Sequence, residues 1–442
     1  MSRPVAAIPL TGADCFLRAF DGEIRRYNGS SHVSQLVLRL GPGFATAQFA
    51  KLVEEIAQAE PLLRAPITRP YGLGAPVYQT AAAERCPVPP VIVHQATEPR
   101  SERLPEVFAR RLNEPRSARC GALLQFDVVH YDEGVDLAMS WLHMLFDGSG
   151  SERFVARLDE CFRGARHPDA LSDSGEFQAP PSDVDSVGEA GDRARSWQRW
   201  VRGFGKHPTR SLSGPLRRTR QALTYDVLRL SVEETQQAMD RARAQAGFLT
   251  PMLFFLATAV RAHHAVYRAR GLDPGRYLVP LPVNMRPKGT PGAVFRTHVS
   301  LLWFQVDPEQ VEDLATLLEE LKRQRLEAIR AGQVENGVHA MQFARYAPTR
   351  LYTRIARSHL GGELCSFFFA WTGAFCEGLD HFLGAEIADG FHVPAVPASP
   401  GSCVAMSLRG GRLNATHVRQ AGVFSDDELK LFRAKLRADL AG

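Results

Sequence analysis

The stretch from Ala122 to Phe162 constrains the fold more than any other part of the chain. Two apolar runs, Ala122–Tyr131 and Val135–Leu142, flank Asp132-Glu133-Gly134, the signature of a β-hairpin closed by an Asp/Gly turn. Directly after the second run the sequence reads His143-Met144-Leu145-Phe146-Asp147-Gly148-Ser149-Gly150. Phe154, Val155, Leu158 and Phe162 then recur at helical spacing. A strand therefore delivers His143 to its end, and a glycine-rich turn takes the chain into a helix. Imidazole is the side chain best matched to removing a proton near neutral pH, so H-x-x-x-D-G at this place reads as a general-base site. The plainer reading is a structural histidine followed by an aspartate N-cap. His263-His264 carries less weight, because no Asp-Gly follows it and it falls in a helical stretch.

Elsewhere the elements are mixed. A strand is expected at His32–Leu40 and a helix from Ala45, with Phe49, Leu52, Val53 and Ile56 on one face. The second half restarts with a strand at Tyr225–Leu230 and a capping box at Ser231–Glu234. There follow a helix around Pro251–Tyr267, a strand ending near Asn284, a strand at Val299–Val306 and a helix over Val311–Ile329. A buried strand at Ser366–Trp371 and a closing helix at Asp426–Leu440 complete the series. No short repeat is present, which excludes a solenoid.

At 442 residues the chain is long for one core, and two domains of roughly 200 residues are expected. The boundary is compositional. Pro168 to Asp192 holds seven acids and no Lys or Arg, whereas Arg193 to Arg220 holds nine bases and no acid. We read 1–167 as the N-terminal subdomain, 168–192 as an acidic linker with little fixed structure, and 193–442 as the C-terminal subdomain. Within the basic stretch Trp197, Trp200, Val201 and Phe204 fall at i, i+3, i+4 and i+7, while Arg195, Arg199, Arg202 and Lys206 occupy other faces. Such a helix, over 195–206, is expected either to touch an anionic membrane surface or to hold phosphates or the acidic face of a carrier protein, unless its aromatic face simply packs inside.

A net charge of +5 is too small to imply nucleic acid. No apolar run approaches the ~20 residues that span a bilayer, and Met1–Leu10 lacks the apolar core of a secretory signal. The seven cysteines show neither C-x-x-C nor zinc spacing, which suits reduced thiols in a cytoplasmic protein. No metal-ligand spacing, glycine-rich phosphate loop or nucleotide fingerprint is present, and no tightly bound cofactor is expected. No Gly-x-Ser-x-Gly elbow suggests a covalent acyl-enzyme.

The segment around His143 resembles the active-site motif of the chloramphenicol acetyltransferase-like superfamily, which includes condensation domains, plant BAHD acyltransferases and bacterial wax ester synthase/diacylglycerol acyltransferases. Pro9–Asp14 resembles the family's opening segment, Glu60–Ala65 the end of its first helix, and Val283–Pro287 its strand-end segment with an arginine. Condensation domains usually carry two adjacent histidines; here Leu142 takes the first place. The resemblance implies an α/β (α+β) fold of two chloramphenicol acetyltransferase-like sandwich domains with an active-site tunnel between them. It implies an acyltransferase that moves an acyl group from acyl-coenzyme A or a phosphopantetheine-linked carrier protein to a hydroxyl or amine, small molecule or lipid, without a covalent intermediate. His143 would be the base, Asp147 would pair with Arg286 to hold the loop, and Gly148 would make the tight turn. Thr297 and His298 fall near the family's Asn-Thr pair, and Trp371 stands where an asparagine is usual, with Thr372 the substitute donor; these four are the expected substrate-binding residues. The alternatives are an amide-forming condensation domain acting in trans on carrier-bound substrates, and a catalytically silent binding protein of the same fold.

Overall fold

Strand pairing radiates from the hairpin. In the computed structural model, which describes residues 7–70, 74–167, 186–218, 220–247, 250–287 and 293–442, Leu124–Tyr131 and Gly134–Leu142 pair antiparallel with Tyr131 opposite Gly134. Every residue of Gly134–Leu142 is buried. Continuous burial rather than alternation follows because both faces of its sheet are covered. The sheet has six strands in the order His381–Phe382, Ala385–Val393, Val33–Leu40, Gly134–Leu142, Leu124–Tyr131 and Val91–Gln95. Helix Thr46–Ala59 buries Phe49, Leu52, Val53 and Ile56, the face its periodicity predicted. Together with Phe154, Val155 and Leu158 of helix Gly148–Phe162, these residues belong to the first hydrophobic core.

A second core forms on a four-stranded sheet ordered Phe368–Ala374, Ser402–Arg409, Arg412–Gln420 and Leu223–Arg229. Helices Val232–Ala246, Pro251–Arg270 and Asp426–Ala441 cover it. The capping box expected at Ser231 and Glu234 is formed in both directions, and Pro251 sits in the first helical turn, where a missing N–H costs nothing. An antiparallel pair, Tyr277–Asn284 with Val299–Val306, joins this layer through Ser366, whose N–H donates to the Leu278 carbonyl at 2.8 Å. The chain is thus α/β with two layered cores, and no single helix among the described residues is long and apolar enough to cross a membrane. All seven cysteines are free thiols.

Several boundaries differ from expectation. The division into 1–167 and 193–442 does not follow the sheets, because His381–Phe382 and Ala385–Val393 join the N-terminal sheet, the latter pairing with Val33–Leu40. Of the expected linker, 168–185 lies outside the described residues, but its end is helical. Ser186 caps helix Val187–Phe204, its hydroxyl accepting from the Glu189 N–H. Glu189 and Asp192 therefore share a helix with Arg193 and Arg195 and pair with them at 3.1 and 2.5 Å. The change of charge sign is the i, i+3 and i, i+4 pattern of one helix cut in two. The helix expected over Val311–Ile329 is two, Pro308–Glu312 and Leu314–Arg330, because Asp313 leaves helical geometry and accepts from the Thr316 N–H at 2.7 Å. The strand expected at Ser366–Trp371 begins later, at Phe368.

Candidate active site

His143 stands one residue past the strand Gly134–Leu142, and the turn after it is pinned from several sides. Its backbone N–H donates to the His32 carbonyl at 3.0 Å. The Trp141 indole donates to the Phe146 carbonyl at 2.8 Å, and the Tyr78 hydroxyl to the Met144 carbonyl at 2.7 Å. Buried side chains thus satisfy backbone groups that a free loop would turn to water. The imidazole is half-buried, and its Nδ1 is enclosed without a hydrogen-bond partner. Burial pulls its pKa below the ordinary 6.5, outweighing the opposite pull of the Asp147 carboxylate and the Phe146 carbonyl. The ring is therefore neutral, and able to accept a proton, at neutral pH.

Asp147 serves as helix cap and ion-pair partner at once. One oxygen accepts from the Gly150 N–H at 2.8 Å, capping helix Gly148–Phe162. The other accepts from the Arg286 guanidinium at 2.8 Å and from the His298 N–H at 2.8 Å. Burial alone would raise the carboxyl pKa; Arg286 and these N–H donors reverse that and hold it below 3.8. Arg286 in turn donates from Nε to the Ala293 carbonyl at 2.9 Å. The structure thus brings Asp147 and Arg286 together across 139 residues of sequence. A second tie lies alongside, where Phe146 bridges Arg296 and the Arg296 N–H donates to the Leu145 carbonyl at 2.7 Å.

The remaining expected residues fall unequally. Thr297 donates its backbone N–H to buried Asp14 at 2.8 Å, and its hydroxyl is buried without a partner. The His298 ring bonds the Phe295 carbonyl at 3.1 Å, which occupies one of its nitrogens. Thr372 lies beside Gly148, its methyl 3.9 Å from where a Cβ on that glycine would sit, and its hydroxyl donates to the Met406 carbonyl at 3.4 Å. Trp371 stacks its indole on Phe255, with centroids 4.3 Å apart and planes 7° apart, and packs half-buried against the second core. The reading of Gly148 as the glycine that the tight turn demands requires correction. Its φ is not left-handed and a Cβ there meets only ordinary contacts. The glycine the turn requires is Gly150, where a Cβ would lie 2.3 Å from the Val294 carbonyl oxygen. His263, stacked on Phe367 at 3.7 Å, belongs to the core.

The sequence reading missed four residues around His143. The His32 ring lies 5.4 Å from the His143 ring, centroid to centroid, and burial keeps it uncharged. His392, from the crossing strand Ala385–Val393, approaches Gly148 from the other side. Ser151 donates to the Gly148 carbonyl at 2.6 Å, so its oxygen accepts from His392 Nε2 at 3.1 Å. Burial, helped by His143, drops His392 to about 4. Glu152 lies 3.7 Å from the same nitrogen and accepts the Cys376 N–H at 2.9 Å; burial pushes its carboxyl up to about 8. The Glu152–His392 contact is therefore between neutral groups. Only Ser151 and Glu152 follow the motif closely enough to have been found by reading one helical turn beyond Gly148.

In the basic helix Val187–Phe204 the aromatic face takes the packed alternative. Val201 is buried and Trp200 packs against the cores, so the aromatic face that a membrane contact would need is used inside the fold. Arg202 bonds His359 at 3.0 Å on the outside.

No family model matches the chain, and no curated protein does. Solved structures do. The first condensation domain of the calcium-dependent antibiotic synthetase, bound to a substrate analogue, superposes with a TM-score of 0.69 over 99% of this chain and 96% of that one, at 15% identity. The chain has the condensation-domain fold. Polyketide synthase associated protein 5 from Mycobacterium tuberculosis matches at TM-score 0.61 and 15% identity, covering 98% and 97% of the two chains. The trichothecene 15-O-acetyltransferase TRI3 from Fusarium sporotrichioides matches at 0.66 and 11%, covering 99% and 95%. At these identities the likeness is one of fold, and the condensation fold fits the two layered cores with the His143 loop tied across them through Arg286.

Proposed function

We propose that the chain is an acyltransferase that moves an acyl group from a thioester, carried on coenzyme A or on a carrier-protein phosphopantetheine, to a hydroxyl or amine. His143 is the general base. Its Nε2 takes the proton as the acceptor attacks the thioester carbonyl; the C–S bond then breaks, and the departing thiolate recovers that proton. No covalent acyl-enzyme is needed. The observation that most supports this reading is the Asp147–Arg286 pair, which clamps the turn after a neutral, half-buried imidazole and so fixes its aim.

A second reading, amide formation in trans between two carrier-bound substrates, is supported by the condensation domain of the calcium-dependent antibiotic synthetase among the similar structures. One assay separates the two. Thiol release from a panel of acyl-coenzyme A and acyl-carrier donors is followed with alcohol and amine acceptors, with His143→Ala as control. Transfer should fall at least ~100-fold in the variant with the fold intact. The acid limb of kcat/KM should lie below pH 6.5, because a lowered pKa keeps the base neutral further into acid. Undiminished transfer by His143→Ala removes the proposal.

A further inference from the structure

Beside the opening helix Gly12–Tyr27 lies a cavity of about 270 Å³. Phe16 and Phe20 of that helix, Trp197 of the basic helix, Trp303, Met341 and Phe368 supply much of its wall, and no Asp, Glu, Lys or Arg lines it. Its mouth is formed by Phe343 and Ile355, which are 45% and 41% exposed. At its inner end Phe20 meets Phe368, with ring centroids 6.3 Å apart. The Phe20 ring is 5.9 Å from His32, and His32 is 5.4 Å from His143. An apolar space therefore opens at the surface and ends two rings short of the proposed base. A concave apolar lining left to water is unfavourable in proportion to its area and is the usual mark of a ligand site.

We infer that this cavity holds the hydrocarbon chain of the acyl donor. The reaction proposed above identifies the chain as an acyl group; the existence of a chain site rests only on the cavity and its lining. With no charged wall, the space suits neither an amino acid nor a nucleotide. At roughly 30 Å³ for a water-sized group, it takes on the order of nine carbons. Trp197 of helix Val187–Phe204, packed in the same apolar cluster as Phe20 and Trp303, then also forms part of the chain's wall.

The test reads binding without requiring turnover. Trp197 and Trp303 line the cavity, so tryptophan emission is titrated with S-acyl pantetheines of two, four, six, ten and sixteen carbons, without acceptor. Affinity should rise at least about tenfold from four to ten carbons and gain nothing further at sixteen. Ala340→Phe and Ala344→Phe, which fill the cavity, should cut the ten-to-four-carbon affinity ratio at least about tenfold. Ile355→Glu at the exposed mouth carries the same expectation and leaves the core untouched. No chain-length dependence in the natural protein, or an unchanged ratio in the filled and mouth variants, overturns the inference. Chain-length-dependent binding without acyl transfer would retain the chain site and refute the acyltransferase reading. Transfer lost in His143→Ala, with no preference for long chains in the natural protein, would do the reverse.

Discussion

Asp147 shows how one carboxylate serves two purposes that a sequence reading tends to oppose. It caps a helix through Gly150 and pairs with Arg286 in a dry setting. Breaking a buried pair by removing one partner costs ~3–5 kcal/mol, because the other charge is left stranded. Asp147→Ala and Arg286→Ala should each lose stability on that scale, and the double variant should lose clearly less than their sum; strict additivity in denaturant titrations would deny the coupling. Glu152 behaves oppositely. Its folded pKa, about 8, lies above the ordinary 4.5, so the folded state binds the proton more tightly. Its contribution is most favourable below pH 4.5 and is lost as pH rises towards 8, at about 1.4 kcal/mol per pH unit. Glu152→Gln should therefore melt progressively higher than the natural protein between pH 5 and pH 8, with the difference levelling off above. Equal pH slopes for the two proteins would show that the carboxyl is not held protonated.

Elements were legible where local chemistry decides them. The hairpin, the strand Val299–Val306, the Ser231 capping box and the helix behind the motif follow from alternation, turn residues and 3.6-residue spacing. Helix Gln333–Ala344 carried no such signal, because Gly337 interrupts its pattern. That glycine has a tertiary cause, since a Cβ there would lie 2.9 Å from the Trp197 indole nitrogen and 2.8 Å from the Ser300 hydroxyl. The end of the acidic linker, from Ser186 onward, was misjudged for a related reason: composition records charge but not the helix that sets Glu189 against Arg193. Within the motif, His143 and Asp147 were readable, whereas His32, just ahead of strand Val33–Leu40, and His392, on Ala385–Val393, are tied to it by no local pattern. Gly150 makes a sharper test than Gly148. Gly150→Ala should cost at least ~2 kcal/mol by forcing the turn off the Val294 carbonyl, while Gly148→Ala should stay within ~1 kcal/mol. Equal melting temperatures for the two variants would contradict the geometry.

At the scale of the whole molecule the two cores are not independent. The crossing strand Ala385–Val393 lies in the first sheet, and Asp389 on it accepts from Arg229 at 3.0 Å and from Asn414 at 2.7 Å, both in the second. Arg357 forms a buried pair with Glu23 of the opening helix. Unfolding should therefore be a single transition, with the emission of Trp141 from one core and of Trp371 from the other changing together with far-ultraviolet dichroism. Separated midpoints would mean that the crossing strand does not couple the two.

That strand also sets an order in time. While the chain is being synthesised, Val33–Leu40 can find Gly134–Leu142 early, but its other edge has no partner until Val393 is made, about 250 residues after Leu142. At the usual pace of synthesis this is on the order of tens of seconds. Throughout that interval a Val- and Leu-rich strand edge stands open to any passing backbone. A ribosome that stalls in the last quarter of the message would release a chain whose first sheet lacks its neighbour, and chaperone demand should peak there, well after most of the first core has been translated.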